Sequence, residues 1–199
     1  PFFLYYASPI PHAPLQAPEY LIEKYRKIID DEEPYLGNVG YFPTRYPRAT
    51  YAAMIEYIDI QVGEIVQQLK DNGIYENTII MLTSDNGPTY AGGVDFKYFN
   101  STGVFQNDPK RMKGYTYEGG VRVPFIVSWP NKIKSKRVID DISISYDIFP
   151  TITELSGVND SNTYPTDGIS LYNIFTDKNS SLERDYIYWE FPSYGGQLA

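Results

Sequence analysis

The chain has 199 residues, 17 Lys and Arg against 25 Asp and Glu, a formal net charge of −8, and no cysteine. That length suits one domain with its own core, and the lack of cysteine excludes disulfides, thiolate metal sites, iron–sulfur clusters and thiol nucleophiles. An acidic balance without a basic run argues against nucleic acid or an anionic membrane as partner and in favour of small-molecule, sugar or metal partners, while no apolar stretch approaches the ~20 residues of a membrane span.

Taken in chain order, residues 1–7 (Pro1-Phe2-Phe3-Leu4-Tyr5-Tyr6-Ala7) form an apolar run that predicts a strand. Residues 8–18 hold Pro9, Pro11, Pro14, Pro18 and the sole histidine, so they predict an ordered loop. Residues 19–29 carry Tyr20, Leu21, Tyr25 and Ile28 at helical spacing and run into Asp30-Asp31-Glu32-Glu33, which reads as a solvated turn. Across residues 48–72 the stripe Tyr51, Met54, Ile55, Ile58, Val62, Ile65, Val66 and Leu69 predicts a long helix closed by Gly73. Residues 76–84 contain Ile79-Ile80-Met81-Leu82, an unbroken run of the kind found in a parallel strand covered on both faces. A long aperiodic stretch follows at 86–117, then a third strand at 121–129 and a short helix at 147–155 that ends at Gly157. The aromatic run 186–192 is again strand-like, and with two such ends the chain reads as a piece of a longer protein. This order of elements implies an α/β sheet, in which ligands bind beyond the carboxyl ends of the strands.

Four groups of residues offer chemistry. Asp85 and Asn86, before Gly87-Pro88, present hard oxygen donors suited to calcium or magnesium, and equally to a plain turn. His12 sits between prolines, a rigid frame that suits an imidazole acting as acid, base or anion donor. Lys113 precedes Glu118-Gly119-Gly120 and suits a point charge for a sulfate or phosphate oxygen, while Glu118 and Arg122 read as a structural ion pair or a backbone clamp. Phe96, Tyr98 and Phe99 in the long loop suit sugar or aryl platforms, with Phe96 and Phe99 as the substrate-binding candidates.

Together these segments resemble the later part of the catalytic domain of a type I, formylglycine-dependent sulfatase. The likeness lies, in order, in Pro1-Phe2-Phe3-Leu4-Tyr5-Tyr6 with Pro11-His12-Ala13-Pro14-Leu15-Gln16-Ala17-Pro18, in Thr83-Ser84-Asp85-Asn86-Gly87, in Lys113 before Tyr117-Glu118-Gly119-Gly120-Val121-Arg122-Val123-Pro124-Phe125-Ile126, and in Asp147-Ile148-Phe149-Pro150-Thr151. It extends through Asp167-Gly168-Ile169-Ser170-Leu171 and Tyr188-Trp189-Glu190-Phe191, and the arylsulfatases of polysaccharide-degrading bacteria are similar in Gly92-Gly93-Val94-Asp95 and in the helix at 48–71.

The resemblance implies a mixed, mostly parallel sheet flanked by helices, of the sulfatase and alkaline phosphatase kind, incomplete at both ends: residues 1–199 would be a partial catalytic domain without its nucleophile half and small C-terminal subdomain. It further implies that Asp85 and Asn86 ligate Ca²⁺, with Mg²⁺ possible, that Lys113 contacts the sulfate and bridging oxygens, and that His12 helps protonate the leaving alcohol. The substrate would be a sulfated small molecule or carbohydrate, and the compartment periplasmic or extracellular. The family's formylglycine comes from a Cys-X-Pro-Ser-Arg motif, which this chain lacks along with any Ser-X-Pro-Ser-Arg substitute. The chain alone is therefore expected not to hydrolyse sulfate esters. The alternatives are a phosphate or phosphonate monoester hydrolase of the same superfamily and a non-catalytic module that binds sulfated sugar.

Overall fold

The long helix forms where the 3.6-residue stripe predicts it. The computed structural model describes residues 1–29, 31–134, 136–158, 165–177, 180–192 and 197–198, and in it α2 spans Pro47–Asp71, one residue off at each end from the expectation. Pro47 fits the first turn because its missing N–H has no helical partner there. The next two N–H groups, of Arg48 and Ala49, are taken by the carboxylate of Glu32, at 3.1 Å for Ala49. Glu32 thus leaves the solvated turn expected for the acidic run and caps a helix whose N-terminal dipole favours a negative charge; Asp30 lies outside the described residues. At the other end Gly73 takes φ +67°, the left-handed value that stops the helix.

The chain divides into two units, Pro1–Asn72 with Asn86–Arg122 and Gly73–Asp85 with Val123–Ala199. In the first, α1 (Glu19–Arg26) lies against α2, joined by the Lys24–Glu56 ion pair at 2.5 Å. Its core is Leu15, Tyr51, Met54 and Val94, with Ile10, Ala17 and Phe99 packed on it. The proline-rich loop and the aperiodic stretch therefore both turn apolar side chains onto the first half of α2. Pro1–Ala7 departs from expectation: it joins no strand among the described residues, and Phe2, Phe3, Leu4 and Tyr5 are exposed. A strand needs a neighbour for its N–H and C=O groups, and none of the described segments supplies one.

In the second unit β1 (Ile80–Thr83) pairs with β2 (Phe125–Ser128). The pairing is antiparallel, with Met81 opposite Val127 and Leu82 opposite Ile126. This differs from the parallel, doubly covered strand expected from the Ile79–Leu82 run. The alternation is that of a one-sided ribbon, with Ile79, Met81, Phe125 and Val127 packed on Leu171, Ile174 and Phe175 while Leu82 and Ile126 face outward and are exposed. Among the described residues the only other sheet is the antiparallel pair β3 (Glu190–Phe191) and β4 (Gln197–Leu198), so the mostly parallel sheet is not formed by these segments alone. The third strand also starts later than expected, because Glu118–Val121 is a helical turn, α3, and Pro124 stands just ahead of β2.

The helix α4 (Ile148–Leu155) matches its expectation, with Pro150 among the first residues whose N–H would be unbonded in any case. The fully buried carboxylate of Asp147 precedes it and accepts from Ile144 N and Ile169 N, both at 2.9 Å, and from the Arg184 guanidinium at 2.5 Å. Thr151, also fully buried, donates to the Asp147 carbonyl at 2.6 Å and accepts from Leu171 N at 2.8 Å, which seats the short helix α5 (Tyr172–Thr176).

Candidate functional site

The residues singled out from the sequence fall mostly on loops of the first unit. His12 is exposed, in a loop with cis peptides before Pro11 and Pro14. Its Nδ1 lies 2.6 Å from the Ala13 carbonyl. A carbonyl only accepts, so Nδ1 carries a proton and Nε2 is the nitrogen left to face a reacting group. The ring meets Tyr41 edge-on at 5.9 Å.

Asn86 and Lys113 are held on one scaffold. Gly87 N donates to Gly120 O at 2.8 Å, and Lys113 N donates to Pro88 O at 3.1 Å. The contact is so close that a Cβ on Gly87 would stand 2.0 Å from Gly119 O, which only glycine permits. The amide nitrogen of Asn86 donates to Gly87 O at 2.8 Å, which fixes the orientation of its side-chain oxygen. The Lys113 ammonium makes no ion pair among the described residues. Asp85, which ends the first segment of the second unit, is exposed, and Ser84 Oγ lies 3.4 Å from its carboxylate. A carboxylate and an amide oxygen are each hard donors of the kind that calcium and magnesium take. Among the described residues no three His, Cys, Asp or Glu cluster as a complete metal site.

The long loop separates the two phenylalanines. Phe96 lines an open cleft of about 440 Å³ together with Tyr35, Tyr90, Gly92, Gly93 and Asp95. Phe99 instead packs on Tyr51 at 5.3 Å and on Tyr98 at 5.0 Å, so its ring belongs to the core rather than to the cleft wall. Glu118 and Arg122 form the expected ion pair at 3.1 Å, exposed on both sides.

Local sequence does not reveal two further features. Arg48 donates to a single Asp95 oxygen from Nε at 3.0 Å and Nη2 at 2.8 Å, while lying 4.3 Å over the Tyr98 ring. Desolvation pushes the Asp95 carboxyl up, but the Tyr98 N–H and the Arg48 guanidinium outweigh it and hold the group below its ordinary range. Tyr35 and Thr44 exchange two backbone bonds at 2.9 Å, and the Tyr35 hydroxyl bonds Gly40 O and Val39 N inside the loop so closed. Their partners stand far along the chain or depend on a loop's closure, which no periodicity marks.

The sulfatase family model matches residues 1–158. The chain belongs to the sulfatase family. It is 30% identical to a sulfatase of Formosa agariphila over 179 residues, covering 83% of this chain and 30% of that protein. It is 32% identical to the canine N-acetylgalactosamine-6-sulfatase over 171 residues, covering 86% of this chain and 28% of that protein. The crystal structure of Ps i-CgsB in complex with k-i-k-neocarrahexaose superposes with a TM-score of 0.69 at 30% identity, covering 91% of this chain and 35% of that one. The chain thus spans about a third of the length of the sulfatases it matches, and its fold is of their α/β, alkaline phosphatase-like class.

Proposed function

We propose that the protein carrying this sulfatase chain hydrolyses sulfate esters of carbohydrate or aryl alcohols, and that these residues form the metal, sulfate and leaving-group side of its site. The observation that supports this reading is the lacing of 86–88 to 113–120, which holds the backbone of Lys113 beside the segment that follows Asn86. Asp85 and Asn86 hold the divalent cation, calcium or magnesium. When bound, the cation offers positive charge to the sulfate oxygens. Lys113 sets its ammonium against the sulfate and bridging oxygens, an interaction that strengthens as charge gathers there. His12 donates from Nε2 to the departing alcohol while the Ala13 carbonyl holds its other nitrogen. Phe96 offers a ring to the substrate from the cleft wall, and Phe99 acts at one remove by seating Tyr98.

A carbohydrate substrate is supported by the N-acetylgalactosamine-6-sulfatase relative and by the oligosaccharide complex of the structural neighbour. We assign the protein to the periplasm or the exterior on the family resemblance alone. The nucleophile is not among these residues, because no cysteine is present to become formylglycine.

The test uses the full-length protein, calcium, a chromogenic aryl sulfate and a sulfated monosaccharide. Lys113→Ala is expected to lower kcat/KM by about 10²–10³-fold, and Asp85→Ala to abolish calcium-dependent turnover. Unimpaired turnover by either variant overturns its assignment, and phosphatase activity exceeding sulfatase activity replaces the reading with the phosphate or phosphonate hydrolase.

A further inference from the structure

We infer that Asn72, at the end of α2, is a site of spontaneous deamidation, and that the lacing of residues 87–88 protects Asn86 from the same reaction. The modification at 72 is independent of the proposed function. Only the significance of keeping Asn86 intact rests on that reading, in which its amide oxygen holds the cation.

The sequence contains its own control. The tripeptide Asp-Asn-Gly occurs twice, at 71–73 and 85–87, and no other asparagine precedes a glycine. The reaction needs no partner but water. The backbone nitrogen of the glycine attacks Cγ of the asparagine: the N–Cγ bond forms, the Cγ–Nδ2 bond breaks, and ammonia leaves with the proton that the nitrogen gives up. Water then opens the five-membered imide at either carbonyl and leaves aspartate or isoaspartate. Glycine favours the first step because no Cβ crowds its nitrogen and its backbone turns freely. With the same residue on each side, the two asparagines share one intrinsic reactivity, and a difference between them comes from the fold.

The fold does separate them. Asn72 directly follows α2 and is exposed, as is Gly73, where an added Cβ would meet nothing within 4 Å. The bonds of Asn72 are local: its N and its Nδ2 both donate to Gln68 O, at 3.1 Å and 2.7 Å. Helix ends fray, and fraying frees this amide to turn toward Gly73 N. Gly87, in contrast, is buried, and its N–H, the group that would attack, donates to Gly120 O at 2.8 Å. The next residue is held as well, since Pro88 O accepts from Lys113 N at 3.1 Å. Space is closed too, with Gly119 O only 2.0 Å from where a Cβ on Gly87 would stand. The side-chain bonds balance, because Asn86 Nδ2 donates to Gly87 O at 2.8 Å much as Asn72 Nδ2 donates to Gln68 O. The two backbone laces have no counterpart to a distant segment at 72. Each lowers the open population by roughly fivefold, so ring closure at 86 is expected about 25-fold slower than at 72.

The experiment incubates the full-length protein in mildly alkaline buffer, folded and, in parallel, unfolded in urea. Cleavage after glutamate places the two asparagines in separate peptides, 65–76 and 77–118, and fragmentation in the mass spectrometer locates the gain from exchanging NH2 for OH. In the folded protein the gain is expected at 72, and about 25-fold more slowly at 86. In urea the two rates are expected to converge. Asn72→Gln is expected to remove the gain at 72 and leave that at 86 unchanged. No gain at 72 in the folded protein overturns the site. Equal rates at 72 and 86 in the folded protein, or a rate at 86 that stays slow in urea, overturns the protection by the lacing. The readout is a mass and not turnover, so a protein that releases no sulfate, which would sink the hydrolase reading, still decides both parts of the inference.

Discussion

Replacing Arg184 by Met is the sharpest test of what holds the second unit. Asp147 is fully buried and its carboxylate has three donors: Ile144 N and Ile169 N at 2.9 Å, and Arg184 Nη2 at 2.5 Å. The Arg184 side chain is itself only 10% exposed. Removing one partner of a buried pair costs about 3–5 kcal/mol because the other charge stays behind unpaired. Here two backbone N–H groups still face Asp147, so the lower end applies, about 3 kcal/mol. For a domain of this size that lowers Tm by about 6–12 °C at roughly 2–4 °C per kcal/mol. Thermal melts and urea titrations give the change, and Asp147→Asn with the double variant completes a cycle whose coupling is expected near 2 kcal/mol, within the range of about 0.5–3 for contacting residues. Arg184→Met melting within 2 °C of the wild type, about 1 kcal/mol or less, or a coupling near zero, refutes the claim that the pair joins the two segments.

Gly87→Ala puts a Cβ 2.0 Å from Gly119 O, a backbone overlap expected to cost about 1–3 kcal/mol. Denaturant titration reads the loss, and under the proposed function turnover by the full-length protein falls with it. Glu32→Gln leaves one acceptor oxygen for the N–H groups of Arg48 and Ala49 and removes the charge at the start of α2; a loss of about 0.5–2 kcal/mol, part of which shrinks in added salt, is expected. The lowered pKa of Asp95 stabilises the fold above the carboxylate's unfolded value, and that contribution disappears as pH falls through the folded value. With both partners about a third exposed, the contribution is under about 1 kcal/mol. Urea titrations at pH 5 and pH 3 should show a smaller pH effect in Asp95→Asn than in the wild type.

Legibility followed the range of each interaction. Helix α2 was readable because its stripe and its closing glycine are local signals, and Asn86, Lys113 and His12 stood out because their motifs are short and continuous. The run at 79–82 identifies a strand but not its direction, since an apolar run does not say whether its neighbour runs parallel; the register with Phe125–Ser128 gives the direction, and the exposure of Leu82 and Ile126 shows that one face is uncovered. Val121 and Val123 look β-like in sequence, while the close packing of Gly119 and Gly120 on Arg111 O and Tyr115 O bends that stretch into a helical turn, so the third strand starts later. Phe96 and Phe99 look alike in sequence, yet Tyr51 on α2 draws one inward and leaves the other at the cleft. Asp147 read as a helix start, and its ion pair was hidden because Arg184 lies 37 residues away.

The way residues 100–107 bond to themselves has a consequence for the length of that segment. Thr102 Oγ1 donates to Phe105 O at 2.9 Å and to Asn107 Oδ1 at 2.7 Å, and Asn107 Nδ2 reaches Asn100 Oδ1 at 2.5 Å. On one flank Phe99 is moored to Tyr51, and on the other Asp108 caps the turn at Pro109–Arg111. Doubling such a tip in length costs only about 0.6 kcal/mol of closure entropy. The tip can therefore be lengthened or shortened at little cost in stability while its two moorings hold the segments on either side of it in place.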